Sequence, residues 1–202
     1  MVYLIAAAVI FLIIALIIFI SKSAGTGDSG PFTVVSPQRV AGRRGENAAS
    51  RYIGSVLRDD DVYYRNVSIS YDNRPAELDN VIVNKYGVFI IEVKNYSGSL
   101  SGKEDDYEWR KVHISDAGNP YYKTVKNPIR QVKREIYILA KYLDYYGVSV
   151  WVDGYAMILG ASSPVDSKYV LSSAYDIDRA IHTPQKRHLN AATVDSVVKL
   201  LS

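Results

Sequence analysis

The chain has 202 residues, no cysteine and a formal net charge of +3, from 24 basic and 21 acidic side chains. Without cysteine, neither a disulfide framework nor a thiolate zinc site can form. So mild a positive charge neither requires nor excludes a nucleic-acid partner, because phosphate binding depends on how basic residues cluster. The length is sufficient for one ordinary domain with its own core, once the apolar N-terminus is set aside.

Residues 2–20 form an unbroken apolar run. The run is close to the roughly 20 residues that a helix needs to cross a bilayer. A cleaved signal peptide is the alternative, but it would have a basic beginning and an apolar stretch of only about 7 to 15 residues. We therefore predict a transmembrane anchor over residues 1–21. Basic residues follow the run and none precedes it, so we expect a single-pass cell-membrane protein with a cytoplasmic soluble part.

Residues 22–38 are rich in Ser, Gly, Thr and Pro, a composition typical of a flexible linker. The soluble domain is accordingly predicted to span residues 39–202. Helical spacing of apolar residues predicts a first helix over 46–57, and alternation predicts a strand over 62–71 with a polar turn at 72–75. Two β-branched runs, 78–83 and 88–94, flank turn residues at 84–87 and indicate a β-hairpin.

The second half continues the alternation of strands and helices. Asn127 and Pro128 supply an N-cap and a first-turn proline for a helix that Gly147 ends. The other predicted elements are a strand at 108–114, strands at 154–159 and 168–171, and a closing helix at 190–201 capped by Asn190. This order predicts an α/β fold with a central sheet.

The predicted hairpin brings three polar side chains to one face of the sheet. A turn over 84–87 pairs Val81 with Ile90 and Asp79 with Glu92, whose Cβ atoms would lie about 5 Å apart. Lys94 follows Glu92 by two residues and shares its face, although a three-residue loop would shift the whole register by one. Opposed carboxylates call for a cation, and Mg²⁺ or Mn²⁺ binds such oxygen ligands while keeping water and phosphate. The alternative is an ordinary salt bridge between Lys94 and Glu92 on the surface of the sheet, with Asp79 merely ending its strand.

Four segments in order carry a family resemblance: Gly45-Glu46-Asn47, residues 77–83 (ELDNVIV), 87–95 (GVFIIEVKN) and 127–131 (NPIRQ). Together they resemble the nuclease-related domain (NERD) family, within the PD-(D/E)xK or restriction-endonuclease-like superfamily. The resemblance covers most of residues 39 to about 160. It implies a restriction-endonuclease-like mixed central β-sheet flanked by helices. Leu78 stands where the superfamily motif has proline, at a position that varies across the superfamily.

The resemblance also implies roles for single residues. Asp79 and Glu92 would be the metal ligands, with Mg²⁺ or Mn²⁺ as cofactor, and Lys94 would position or polarise the attacking water. Glu46 would be an auxiliary acid, and Gln131 would approach from the following helix. From the residues alone, Glu46 fits better a first-turn acid favoured by the helix dipole, and Gln131 fits equally an ordinary first-turn polar residue. Many relatives of this fold are dimers, which makes a homodimer a candidate assembly.

Basic side chains surround the predicted start of the helix at residue 128: Lys126, Arg130, Lys133 and Arg134. Helix N-termini attract phosphate, so we predict that this end contacts a nucleic-acid backbone. A solvated basic face is the alternative, and it is the better reading for Lys133 and Arg134.

The sequence predicts a membrane-anchored, Mg²⁺- or Mn²⁺-dependent nuclease that hydrolyses phosphodiester bonds of DNA, with RNA the second candidate. The alternative is a non-catalytic module that binds nucleic acid or a protein at the membrane. Other chemistries lack their motifs: the three histidines have no metal-ligand spacing, and neither a G-x-S-x-G elbow nor a P-loop occurs. Zinc hydrolysis, serine catalysis and nucleotide hydrolysis are therefore disfavoured.

Overall fold

The computed structural model describes residues 37–115, 117–162, 165–184 and 188–202, which build a seven-stranded sheet with helices on both faces. In chain order the elements are α1 Pro37–Gly54, β1 Val62–Tyr71, β2 Arg74–Asn84, β3 Gly87–Ser101, β4 Glu108–Ile114, β5 Pro120–Lys126, α2 Pro128–Tyr145, β6 Val152–Ser162, β7 Val170–Leu171, α3 Ala174–His182 and α4 Ala191–Leu201. The predicted transmembrane helix lies outside the described residues. Within them, no helix is both long and apolar enough to cross a membrane.

The sheet is mixed, as predicted. Strands β1 to β5 follow one another in antiparallel pairs, whereas β6 runs parallel to β3 and β7 parallel to β6. Strand β3 is the long central element, with β6 along one edge. Its other edge pairs first with β2, up to Ile90 opposite Val81, and then with β4, from Ser99 opposite Val112. Between these two ladders lies the open edge of β3, residues 91–98.

Side-chain alternation along β2 and β3 divides the core between two helical layers. Val81, Val83, Val88 and Ile90 pack with buried residues of α2 and α4. Ile82, Phe89, Ile91 and Val93 pack with buried residues of α1 and α3. By the same alternation, Asp79, Glu92 and Lys94 lie on the α2 face of the sheet.

The sequence signals for the hairpin and for two helix starts are confirmed. Val83 pairs with Val88 and Val81 with Ile90 across a two-residue turn, so the register is the one that the turn length predicts. The Asn127 side chain accepts a hydrogen bond from the Ile129 N–H at 2.9 Å, and Asn190 caps α4 in the same way.

Four elements differ from the sequence prediction. Helix α1 begins at Pro37 and not at residue 46, and β3 continues through the Gly/Ser stretch to Ser101. Strand β5 was not predicted because six of its seven residues are exposed, so it has no buried–exposed alternation. Helix α3 was not predicted either. It has 9 residues, and its N-cap Ser173 accepts from the Asp176 N–H at 3.1 Å.

Candidate active site

At the open edge of β3, two polar side chains of β2 form hydrogen bonds with the backbone groups that a continued β2–β3 ladder would pair. The Asn80 side-chain amide donates to the Ile91 carbonyl at 2.9 Å, and the Asp79 carboxylate accepts from the Val93 N–H at 2.9 Å. These two bonds satisfy backbone groups that the ladder would otherwise pair. Asp79 is therefore held against β3 next to Glu92, although the paired β2–β3 ladder ends at Val81 and Ile90.

Glu92 is the buried centre of this site. Its side chain is 3% exposed, and its Oε1 accepts from Lys94 Nζ at 2.5 Å and from the amide nitrogen of Gln131 at 2.6 Å. The second oxygen, Oε2, is buried and has no hydrogen-bond partner among the described residues. A buried carboxylate oxygen without a partner is costly, so this atom is a natural ligand position for a cation.

The electrostatics of Glu92 and Lys94 follow from burial and from each other. Burial raises the pKa of Glu92 from its usual 4.5 to about 7; the Lys94 charge opposes this rise, and the nearby Asp79 carboxylate reinforces it. Burial by itself would lower the pKa of Lys94, but the Glu92 charge and hydrogen bond outweigh burial and raise it. The site thus keeps a charged lysine beside a carboxyl group that exchanges its proton near neutral pH.

Glu135 is a residue of this site that the sequence analysis missed. It lies one turn after Gln131 on α2, is 2% exposed, and accepts from the Gln131 amide nitrogen at 2.8 Å. Burial, and then the Glu92 charge, raise the pKa of Glu135 from 4.5 to about 8. The available signal was a glutamate on the apolar face of the helix, three residues after Val132 and four after Gln131.

The amide of Gln131 is oriented by these two carboxyl groups. The amide nitrogen of Gln131 donates in both contacts, so this end of the group points towards Glu92 and Glu135. The side-chain oxygen of Gln131 is therefore directed away from Glu92 and Glu135.

The donor set fits a hard divalent cation. Asp79 and Glu92 offer carboxylate oxygens, and Mg²⁺ or Mn²⁺ is held in proteins by one or two carboxylates together with water. The unpartnered Glu92 Oε2 supports this fit. Within the described ranges, no three His, Cys, Asp or Glu side chains converge as a ready-made metal cage. Any ion here would complete its coordination with water or substrate oxygens.

Of the five predicted catalytic residues, the structure brings four together and leaves one apart. Asp79, Glu92, Lys94 and Gln131 meet on the α2 face of the sheet. Glu46 lies on α1, which packs on the opposite face, and its side chain is exposed. In the described part of the chain no hydrogen bond or ion pair links the Glu46 carboxylate to the other four, so its auxiliary role stays a prediction.

The four predicted nucleic-acid contacts, Lys126, Arg130, Lys133 and Arg134, line a concave pocket of about 650 Å³ together with Tyr107, Asn127 and Gln131. Three of the four already have partners within the chain. Lys133 pairs with Glu104 at 3.1 Å and Asp105 at 3.7 Å, and Arg134 donates to the Pro75 carbonyl at 2.8 Å. The guanidinium of Arg130 lies 5.2 Å from the centre of the Tyr107 ring. The two acidic partners offset the charge of Lys133, whereas Arg130 and Arg134 stay fully charged but are engaged within the chain.

Comparison with known proteins identifies one family whose model matches this chain. The model of the nuclease-related domain family matches residues 41–159, more than half of the chain, and this stretch includes most of α1, the β2–β3 hairpin and α2. No curated protein and no solved structure matches the chain.

Proposed function

Since this chain belongs to the nuclease-related domain (NERD) family, within the PD-(D/E)xK superfamily, we propose that it is a divalent-metal-dependent nuclease with a restriction-endonuclease-like fold. The bonds hydrolysed are phosphodiesters of DNA, with RNA the second candidate. The observation that carries the proposal is Glu92, a buried carboxylate with one oxygen bound by Lys94 and Gln131 and the other without a hydrogen-bond partner in the described part of the chain.

Asp79 and Glu92 hold the metal in this proposal, through Glu92 Oε2 and the Asp79 carboxylate. A bound Mg²⁺ or Mn²⁺ supplies a more acidic water and neutralises charge on the phosphoryl group. Lys94 keeps a positive charge and further N–H donors beside Glu92, where they can orient a water and stabilise charge that develops on phosphate oxygens. Gln131 fixes the Glu92 side chain so that Oε2 stays available.

Two further parts of the proposal concern residues around this centre. The auxiliary role of Glu46 rests on the family resemblance alone, because α1 packs on the other face of the sheet. Lys126, which is exposed, is the member of the α2 cluster best placed to reach a phosphate, because its three neighbours have partners in the chain.

The test is a substrate panel for the purified full-length chain. Supercoiled plasmid, linear duplex DNA, single-stranded DNA and RNA are each incubated with Mg²⁺, Mn²⁺ or EDTA. Cleavage of at least one substrate is expected with metal and none with EDTA, and Asp79→Asn should abolish it. Absence of cleavage under every condition, by protein that still binds Mn²⁺, would replace this proposal with the non-catalytic binding module.

The proposal includes membrane anchoring through the apolar run at residues 2–20, with the nuclease domain in the cytoplasm. The motivation is the length of the run and the basic residues that follow it. Cell fractionation, followed by protease treatment of intact and permeabilised cells, tests it. Recovery in the soluble fraction, or digestion of the domain in intact cells, would contradict it.

A further inference from the structure

The β4–β5 hairpin carries a second basic group of residues, distinct from the cluster at the start of α2. Lys111 lies directly opposite Lys123, and His113 lies directly opposite Tyr121. Alternation places all four on the face that buries Trp109 at the other end of the hairpin. We call these four residues the lysine face. Strand β5 forms the end of the β1 to β5 path, so the lysine face lies at a margin of the sheet.

The two opposed lysines concentrate positive charge on this face of the hairpin. Like charges directly opposite each other destabilise an antiparallel pair. Among the ion pairs of the described residues, none joins an acidic side chain to Lys111 or Lys123. Burial and then the Lys123 charge lower the pKa of Lys111, and burial followed by both lysines lowers the pKa of His113. A phosphate group would relieve this repulsion.

The lysine face is continuous with the candidate active site through Tyr96. Lys111 Nζ lies 5.5 Å from the centre of the Tyr96 ring. Tyr96 follows Lys94 by two residues on β3 and packs against the buried cluster that contains Trp109 and Ile129. A strand of nucleic acid over Lys123 and Lys111 would therefore lead across Tyr96 towards the open edge of β3.

The aromatic residues of this face favour an unpaired strand. The His113 and Tyr121 rings are stacked, with centroids 5.0 Å apart and an interplanar angle of 12°, and Tyr121 is still 44% exposed. Exposed aromatic rings set between cations are the usual surface for stacking single-stranded bases. Bases within a duplex have their faces covered by neighbouring pairs and cannot stack in this way.

We propose that the lysine face binds single-stranded nucleic acid, with its phosphates at Lys111 and Lys123 and a base against Tyr121 and His113, and directs it to the Asp79–Glu92 site. The last step rests on the proposed nuclease function. The binding itself does not, because it is set by charge and stacking on the β4–β5 hairpin.

Binding is measured by fluorescence anisotropy on the full-length chain in EDTA, with a labelled single-stranded oligonucleotide and its duplex, over a range of salt concentrations. Two charge-matched double variants are compared: Lys111→Gln with Lys123→Gln, and Arg110→Gln with Lys199→Gln. Arg110 lies on the opposite face of the same hairpin, and Lys199 is exposed on α4. The single variant Lys123→Gln is included because it changes an exposed residue of β5 and should leave the fold intact.

The lysine double variant is expected to weaken single-strand binding on the order of tenfold and to reduce the slope of log K against log salt by about 1.4, which is two phosphate contacts. Lys123→Gln should reduce the slope by about 0.7. Affinity and slope of the Arg110/Lys199 variant should equal those of the wild type. Equal slopes for both double variants, or tighter binding of the duplex than of the single strand, would overturn the proposal.

The binding result and the nuclease result are separable. Lysine-dependent binding by a protein that cleaves nothing supports the lysine face and rejects the proposed nuclease function. Metal-dependent cleavage, together with a single-strand affinity that is unchanged when Lys111 and Lys123 are replaced, supports the nuclease function and rejects the lysine face.

Discussion

Gln131 donates from its amide nitrogen to Oε1 of Glu92 at 2.6 Å, and this contact joins α2 to the central strand of the sheet at the candidate metal site. The same nitrogen donates to Glu135 at 2.8 Å. Three side chains thus form a continuous network, in which the outer carboxyl group orients the amide and the amide orients the inner carboxyl group. The position of Glu92 therefore depends on Gln131 and Glu135 of α2 as well as on Lys94.

The pH dependence of the free energy of unfolding should reveal the raised pKa of Glu135. Its pKa is raised to about 8 in the folded chain from an ordinary 4.5, so between these values unfolding releases a proton. The free energy of unfolding therefore falls as pH rises through this window and levels off above it. Glu135→Gln should remove most of this slope and be more stable than the wild type above pH 8, by on the order of a few kcal/mol.

Chemical denaturation of the full-length chain in EDTA, at several pH values from about 4.5 to 9, checks this. Glu92 contributes its own slope up to about pH 7, so some dependence should persist below that value in the variant. Glu77→Gln, at an exposed position of β2, is the matched control and should behave as the wild type. The same pH dependence in Glu135→Gln and in the wild type would contradict the assignment.

Metal affinity should depend on pH through Glu92. Because its pKa is about 7, a metal ion that binds its carboxylate below neutral pH has to displace a proton. The apparent Mn²⁺ affinity should fall about tenfold for each pH unit below 7 and change little above it. Calorimetry on the full-length chain tests this, and Asp79→Asn should abolish binding. A pH-independent affinity, or one that Asp79→Asn leaves intact, would rule out this pair as the ligands.

The contact between α1 and the end of β3 can be tested at Gly45. A Cβ added there would lie 2.6 Å from the Asn95 Cβ, next to Lys94, so α1 has to move away from the strand. We expect Gly45→Ala to cost about 1 to 3 kcal/mol in denaturant unfolding. Gly42, in the same helix, has nothing within 4 Å of such an atom, and Gly42→Ala should stabilise the protein by up to about 1 kcal/mol. Equal effects of the two substitutions would show that α1 does not pack closely here.

The sequence predicts the centre of the site because the relevant signals are local. A two-residue turn sets the β2–β3 register, which aligns Asp79 with Glu92, and alternation adds Lys94. The N-cap Asn127 and Pro128 begin α2 at the residue that brings Gln131 to Glu92. Each of these signals depends on a few neighbouring residues and not on contacts with distant elements of the fold.

Other features depend on which elements meet in space, and sequence patterns do not carry that information. Lys133 and Arg134 look like free basic residues until Glu104, Asp105 and Pro75 are brought beside them by the fold. The pairing of Lys111 with Lys123 requires β5, an exposed strand without alternation. Glu135 was not singled out from the sequence, because glutamate is seldom buried and its burial depends on the elements that pack around α2.

The most direct test of the proposed nuclease centre is metal-dependent cleavage by the full-length wild type, by Lys94→Ala and by Lys199→Ala as an exposed-lysine control, with thermal melts to verify folding. We expect cleavage by the wild type and the control, and a loss of at least about 100-fold in Lys94→Ala, because the cation beside Glu92 is removed. Cleavage by folded Lys94→Ala at the wild-type rate would contradict this assignment, because the catalytic centre would then lie elsewhere in the chain.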